Sequence, residues 1–116
     1  MNRVLIVDDD PACALALQVL LRNQGYSVRI ERDSPLALDA VQEFEPNAVL
    51  IDIMNPKSRG GDVAWQLASE RTLNGTKLIL YSQLSTAEVR RKLPAGEIPI
   101  LEKPIDVDEL MRLLAG

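Results

Sequence analysis

Short unbroken apolar runs alternate along this chain with stretches whose apolar residues recur every three or four positions. Residues 4–7 (VLIV) are continuous and rich in β-branched side chains, the pattern of a strand covered on both faces. Residues 12–24 then read as a helix. Asp10 is placed to cap it, Pro11 takes the first helical position, Leu17, Leu20 and Leu21 form its inward stripe, and Gly25 ends it. Residues 26–31 alternate, with Val28 and Ile30 on one face, which predicts a strand covered on one side at a sheet edge. Ser34-Pro35 opens a second helix through Phe44, with Ala37, Ala40, Val41 and Phe44 inward. Residues 48–53 form the next buried run. "MNPKSRGGD" is dense in breakers and reads as a loop in which Gly60 and Gly61 are turn residues. Residues 62–70 follow as a third helix, with Trp65 partly on its surface or against the loop. Residues 77–81 predict a fourth strand, and the capping box Ser85-x-x-Glu88 starts a fourth helix reaching about Leu93. Residues 98–101 predict a fifth strand, whose Pro99 lacks a backbone donor and so belongs at an edge. A second capping box, Asp106-x-x-Glu109, opens a fifth helix that Leu110, Leu113 and Leu114 finish.

Strict alternation of strand and helix predicts an α/β fold: a doubly wound (βα)5 three-layer sandwich with helices on both faces of a parallel sheet. Right-handed crossovers and two one-sided strands, the second and the fifth, fit the flavodoxin-like strand order 2-1-3-4-5. One domain is expected over residues 1–116, with no output domain in this chain. In such sheets ligands bind beyond the carboxyl ends of the strands, so the residues that end each strand carry the chemistry.

Composition narrows that chemistry. The 116 residues are 47% apolar, which provides for one core and argues against disorder. A formal charge of −4, from 13 basic and 17 acidic residues, argues against direct nucleic-acid binding. The chain has no His, which excludes a Ser-His-Asp triad, a His-ligated metal and a phosphohistidine carrier. Its one Cys, Cys13, excludes an internal disulfide and reads as an ordinary helix residue. No apolar run approaches the ~20 residues of a membrane span, and the first strand begins at once, so no membrane insertion and a cytoplasmic location are expected.

The strand ends carry Asp8 and Asp9, then Asp52, Ser82 and Lys103. In the order 2-1-3-4-5, strand three lies between strands one and four, about 4.8 Å from each, so Asp52 sits between the acid pair and the hydroxyl. Lys103 starts two strands away, and its long side chain can lean across. Carboxylates about 5 Å apart repel by roughly 3 kcal/mol per pair at an effective dielectric near 20. A cation relieves that repulsion, and an oxygen-only set without His or Cys points to a hard ion, Mg²⁺ (or Mn²⁺). Asp8 and Asp9 would hold the ion, while Asp10 caps the following helix.

These residues resemble the receiver domain of two-component response regulators, and the likeness covers the whole chain. "VLIVDDDP", "AVLIDIMNP" followed by Gly60, "LILYS" and "ILEKP" stand in the family's order and spacing. The resemblance implies a phosphorylation-dependent signalling switch rather than a turnover enzyme. Asp52 is then the phosphoacceptor, taking a phosphoryl group from a histidine kinase or phosphotransfer protein as a nucleophile that needs no general base. Asp9 and Asp52 would bind Mg²⁺ directly, Asp8 mainly through water, and the backbone carbonyl of Met54 would complete the protein ligands. Lys103 and the Ser82 hydroxyl would contact phosphoryl oxygens, and the peptide before Pro104 is usually cis in the family. The added charge would reshape the face formed by the fourth helix, fifth strand and fifth helix. That face would meet a downstream protein target, and homodimerisation through it is also consistent with the family.

Four positions depart from the family pattern. Ile100 stands where the family usually has the aromatic ring that moves with the switch hydroxyl. None of the four aromatic residues (Tyr26, Phe44, Trp65 and Tyr81) takes that role in the sequence. Gln83 follows the switch hydroxyl where a small residue is usual, and is expected to crowd the approach of small donors. Met54 and Leu84 are apolar where the family tunes loss of the phosphoryl group to water, which predicts a longer-lived phosphorylated state than in fast chemotaxis-type receivers. Two other readings compete: a phosphorylation-independent docking module on the same scaffold, and an aspartyl-phosphatase-like hydrolase. The hydrolase needs a second Asp two positions after Asp52, where Met54 stands.

Overall fold

The run Arg3–Val7 forms β1, and its alternate side chains settle into two separate cores. The computed structural model describes residues 2–53, 75–92 and 98–115. The described strands after β1 are β2 (Ser27–Glu31), β3 (Ala48–Asp52), β4 (Lys77–Ser82) and β5 (Ile100–Glu102). The described helices are α1 (Pro11–Asn23), α2 (Ala37–Phe44), α3 (Thr86–Lys92) and α4 (Val107–Ala115). Here α3 and α4 are the fourth and fifth helices expected from the sequence. The third expected helix, the preceding loop and their Met54, Gly60, Gly61 and Trp65 lie outside the described residues.

All five strands pair in parallel in the order β2-β1-β3-β4-β5. Leu5, Val7, Val49, Ile51, Leu80 and Ile100 face α2 and α3, meeting Ala37, Ala40, Val41 and Val89. Val4, Ile6, Leu50, Ile79, Tyr81 and Leu101 face the other way, onto Ala14, Leu17 and Leu21 of α1 and Leu110 of α4. β1 and β3 are almost wholly buried, as unbroken apolar runs require, while β2 is only half-buried at its edge.

Capping follows the sequence. The Asp10 side chain accepts from the Ala12 amide at 3.1 Å, Pro11 opens α1, and Gly25, at φ 91°, turns the chain out of it. The Ser85 Oγ accepts the Glu88 amide at 3.2 Å and donates to Glu88 Oε1, while Asp106 Oδ1 accepts the amides of Asp108 and Glu109. Two elements start two or more residues later than expected. Ser34–Leu36 is a 3-10 turn that precedes α2, because Pro35 and the Asp33 cap tighten the first turn before the helix begins. β5 starts at Ile100 rather than residue 98. Pro99 precedes the strand and offers only its carbonyl, which accepts from Leu80 N at 2.9 Å.

Among the described residues the buried polar side chains are Asp8, Ser34, Asp52 and Ser82. Three of these stand at or just beyond strand ends on one rim of the sheet, where the strands stop and α1 and the β4–α3 connection begin. Charged and hydroxylic groups are expensive to bury without partners, so this rim is where the fold departs from ordinary core economy.

Candidate functional site

β1 delivers Asp8 and Asp9 to this rim, and β3 delivers Asp52 beside them. One carboxylate oxygen from each of Asp8, Asp9 and Asp52 lies within 4.8 Å of the others. The Asp8 carboxylate is held at both ends: Oδ1 accepts the Asp10 amide at 2.9 Å and Oδ2 accepts the Tyr81 hydroxyl at 2.7 Å. From the far side of β4, Lys103 reaches back over the sheet and its Nζ stands 3.2 Å from Asp52 Oδ2. Its backbone is anchored as well, with the Lys103 amide donating to the Ser82 carbonyl at 2.8 Å. The Lys103–Pro104 peptide is cis.

The charges do not balance. Three carboxylates face one ammonium, and Asp8 and Asp52 are 1% and 2% exposed, so water screens them poorly. Burial, and next the charge of Asp8, push the Asp52 carboxyl up from its ordinary 3.8 to about 6, with Lys103 pulling the other way. Burial works against the Lys103 charge, but Asp52, Cys13 and Asp8 together outweigh it and leave the ammonium above its ordinary range. Burial, then the Asp8 charge, raise the Tyr81 phenol far above its usual value, so it remains a donor. The same two causes lift the Cys13 thiol on α1 to about 11, which leaves it protonated and unreactive.

The Asp52 shift has a consequence for stability. Between the ordinary 3.8 and about 6 the folded chain keeps a proton that the unfolded chain has lost. Without divalent ions, stability therefore falls as pH rises through that window and levels off above it, by roughly 3 kcal/mol from this group. Urea unfolding in chelator at pH values across the window, compared with Asp52→Asn, checks this: the difference between the two proteins should grow with pH. Identical pH profiles would show that Asp52 has an ordinary acidity.

The structure brings together most of the residues singled out from the sequence. Asp8, Asp9, Asp52 and Lys103 converge, and Ser82 ends the strand beside Asp52. The Ser82 side chain is fully buried, and its Oγ accepts the Leu84 amide at 3.0 Å. Gln83 is exposed on the connection after β4, and Pro104 is exposed after the lysine. Ile100 is buried in the core beneath α2 and α3. Met54 lies outside the described residues. Periodicity gives Tyr81 no role beyond burial, but its hydroxyl reaches Asp8 and its ring lies 5.2 Å from the Lys103 Nζ. The available signal was a phenol in the otherwise aliphatic run "LILYS", because a buried Tyr hydroxyl needs a polar partner.

An oxygen-only set with two buried carboxylates and more negative charge than Lys103 offsets fits a hard divalent cation. The family profile described as "Response regulator receiver domain" matches residues 4–115. The chain belongs to this family. Receiver domains bind Mg²⁺ at an acidic pocket and partner with histidine kinases. The DNA-binding response regulator MtrA of Mycolicibacterium smegmatis is 34% identical over 111 residues, which is 95% of this chain and 47% of that protein. The receiver chain thus spans about half the length of the curated relatives it matches. A CheY-like response regulator receiver domain protein from Methanospirillum hungatei superposes with a TM-score of 0.82 at 27% identity, covering 99% of this chain and 91% of the other. The receiver domain of the sensor histidine kinase PA1611 from Pseudomonas aeruginosa shares the fold, with a TM-score of 0.83 at 24% identity, covering 97% and 93%. That protein carries a magnesium ion in its active-site cleft. Among the described residues of the present receiver, no helix is long and apolar enough to cross a membrane.

Proposed function

We propose that this receiver domain is a phosphorylation-dependent switch in which Asp52 accepts a phosphoryl group from a phosphohistidine on a kinase or phosphotransfer protein. An Asp52 carboxylate oxygen attacks phosphorus. The P–N bond breaks, and the imidazole leaves with the electron pair and takes up a proton. Asp8, Asp9, Asp52 and the Met54 carbonyl are the residues that would hold Mg²⁺ (or Mn²⁺). When bound, the ion offsets the negative charge gathered at the transferring group. Lys103 exchanges its contact with Asp52 for one to a phosphoryl oxygen, and the Ser82 hydroxyl takes another. The observation that carries this reading is the approach of Lys103 Nζ to Asp52 Oδ2 across β4, at the rim where three carboxylates meet.

The readout then passes through the chain segments tied to Ser82 and Lys103. Besides the Lys103 amide bond to Ser82, Glu102 Oε1 accepts the Thr86 amide at 2.8 Å, joining the end of β5 to the start of α3. A shift of either site residue therefore moves the α3–β5–α4 face, where a downstream protein or a second copy docks. Longer relatives are called DNA-binding, but this acidic domain serves as the regulatory part, cytoplasmic and without nucleic-acid contacts of its own.

Acetyl phosphate with Mg²⁺ is expected to give one hydroxylamine-labile phosphoryl group per chain and amide shifts on the α3–β5–α4 face. The label should persist well beyond seconds, because Leu84 and Met54 offer no group to orient a water. Decay within seconds would defeat the lifetime expectation. Absence of both adduct and shift, with small donors and with a histidine kinase, would replace the switch with the phosphorylation-independent docking module.

A further inference from the structure

Tyr81 touches both halves of the site from within the core. Its ring is fully buried in the cluster that contains Leu17, Leu101 and Leu110, so it has a single seat. From that seat the hydroxyl donates to Asp8 Oδ2, and the ring lies 5.2 Å from the Lys103 ammonium. Asp8 is 1% exposed, and its other oxygen is taken by the Asp10 amide at 2.9 Å. A carboxylate gripped at both oxygens cannot turn, and water cannot reorganise around it. We propose that Tyr81 is a positioning residue that raises the affinity of the Asp8–Asp9–Asp52 cluster for a divalent cation by fixing the Asp8 carboxylate before the cation arrives. The inference rests on the Mg²⁺-binding switch proposed above.

The physical basis is preorganisation. Three close carboxylates repel, and a side chain free to rotate relieves the repulsion by swinging away. A hydrogen bond to an ionised group resists that swing, and a neutral phenol does so without displacing the cation as a second ammonium would. The ring adds a separate effect: the electron-rich face seats the Lys103 head near Asp52. The hydroxyl and the ring are therefore separable by substitution. Tyr81→Phe removes the grip on Asp8 and keeps the seat for Lys103, whereas Tyr81→Leu removes both.

The test is calorimetric Mg²⁺ titration of the wild type, Tyr81→Phe, Asp8→Ala and the double variant, each checked for folding by thermal unfolding. Tyr81→Phe should weaken Mg²⁺ roughly tenfold. In the Asp8→Ala background, which has no acceptor for the hydroxyl, the same change should have no further effect. Equal affinity of Tyr81→Phe and wild type overturns the proposal, and so does an equal loss in both backgrounds, which would mark a packing role. Wild-type protein that binds no Mg²⁺ overturns the switch reading as well. Wild type that binds while Tyr81→Phe is unaffected overturns only the role of Tyr81. A second measurement needs no variant. With ¹³Cζ-labelled tyrosine, the Tyr81 resonance should move saturably with Mg²⁺ while that of Tyr26, the other tyrosine, stays fixed. An unmoved Tyr81 signal also overturns the proposal.

Discussion

Asp52→Asn protein is expected to take up less than about one-hundredth of the phosphoryl group that the wild type accepts, from acetyl phosphate or from a histidine kinase, while folding normally. The amide keeps the shape of the carboxylate and can still meet Lys103, but it has no anionic oxygen to attack phosphorus. The same change removes a charge that burial, and next Asp8, disfavour, the two causes that hold the carboxyl up at about 6. Loss of labelling should therefore come with a metal-free protein at least as stable as the wild type at neutral pH, which separates loss of a nucleophile from loss of fold. Intact-mass measurement of the adduct and urea unfolding of the same samples check both halves. Equal labelling of the variant would move the acceptor to another side chain and undo the proposed assignment.

Lys103→Met carries the second large effect. The methionine keeps an unbranched stem of similar reach beside Tyr81 but lacks the charge. Asp52, 2% exposed, would then face Asp8 without its ammonium at 3.2 Å. Removing one partner of a well-buried pair costs about 3–5 kcal/mol, and the 17% exposure of the Lys103 side chain argues for the lower end, roughly 3 kcal/mol in chelator. Saturating Mg²⁺ should restore much of that loss, because a divalent ion supplies the missing countercharge. Phosphoryl uptake should fall roughly a hundredfold even in Mg²⁺, since a fixed donor to the transferring oxygens is gone. Denaturant curves with and without Mg²⁺, and initial labelling rates, provide the check. A variant as stable as wild type in chelator would show that the contact with Asp52 contributes little.

Much of this geometry was legible in the chain. The unbroken runs of β1 and β3, the alternation in β2 and the breakers between them determine a parallel sheet in which β3 must lie between β1 and β4. Once that order is known, Asp8, Asp9, Asp52 and Lys103 have to share a rim, as they do. Boundaries were less legible where a local tightening competes with a regular element. Pro35 produces a 3-10 turn before α2, and Pro99 stays outside β5 while still lending its carbonyl to β4. Tyr81 escaped notice for a different reason. Periodicity reports that a residue is buried but not what its polar tip meets. The partner of its hydroxyl lies 73 positions away along the chain.

The Ser82 hydroxyl is not idle in this state: its oxygen is engaged by the Leu84 amide, and its own carbonyl receives the Lys103 amide. If that hydroxyl swings toward a phosphoryl group, as proposed above, the Leu84 amide loses its acceptor and the β4–α3 connection loosens with it. Under the proposed switch, the chemical event and the mechanical one form a single latch, held by how firmly one short peptide segment clasps one serine.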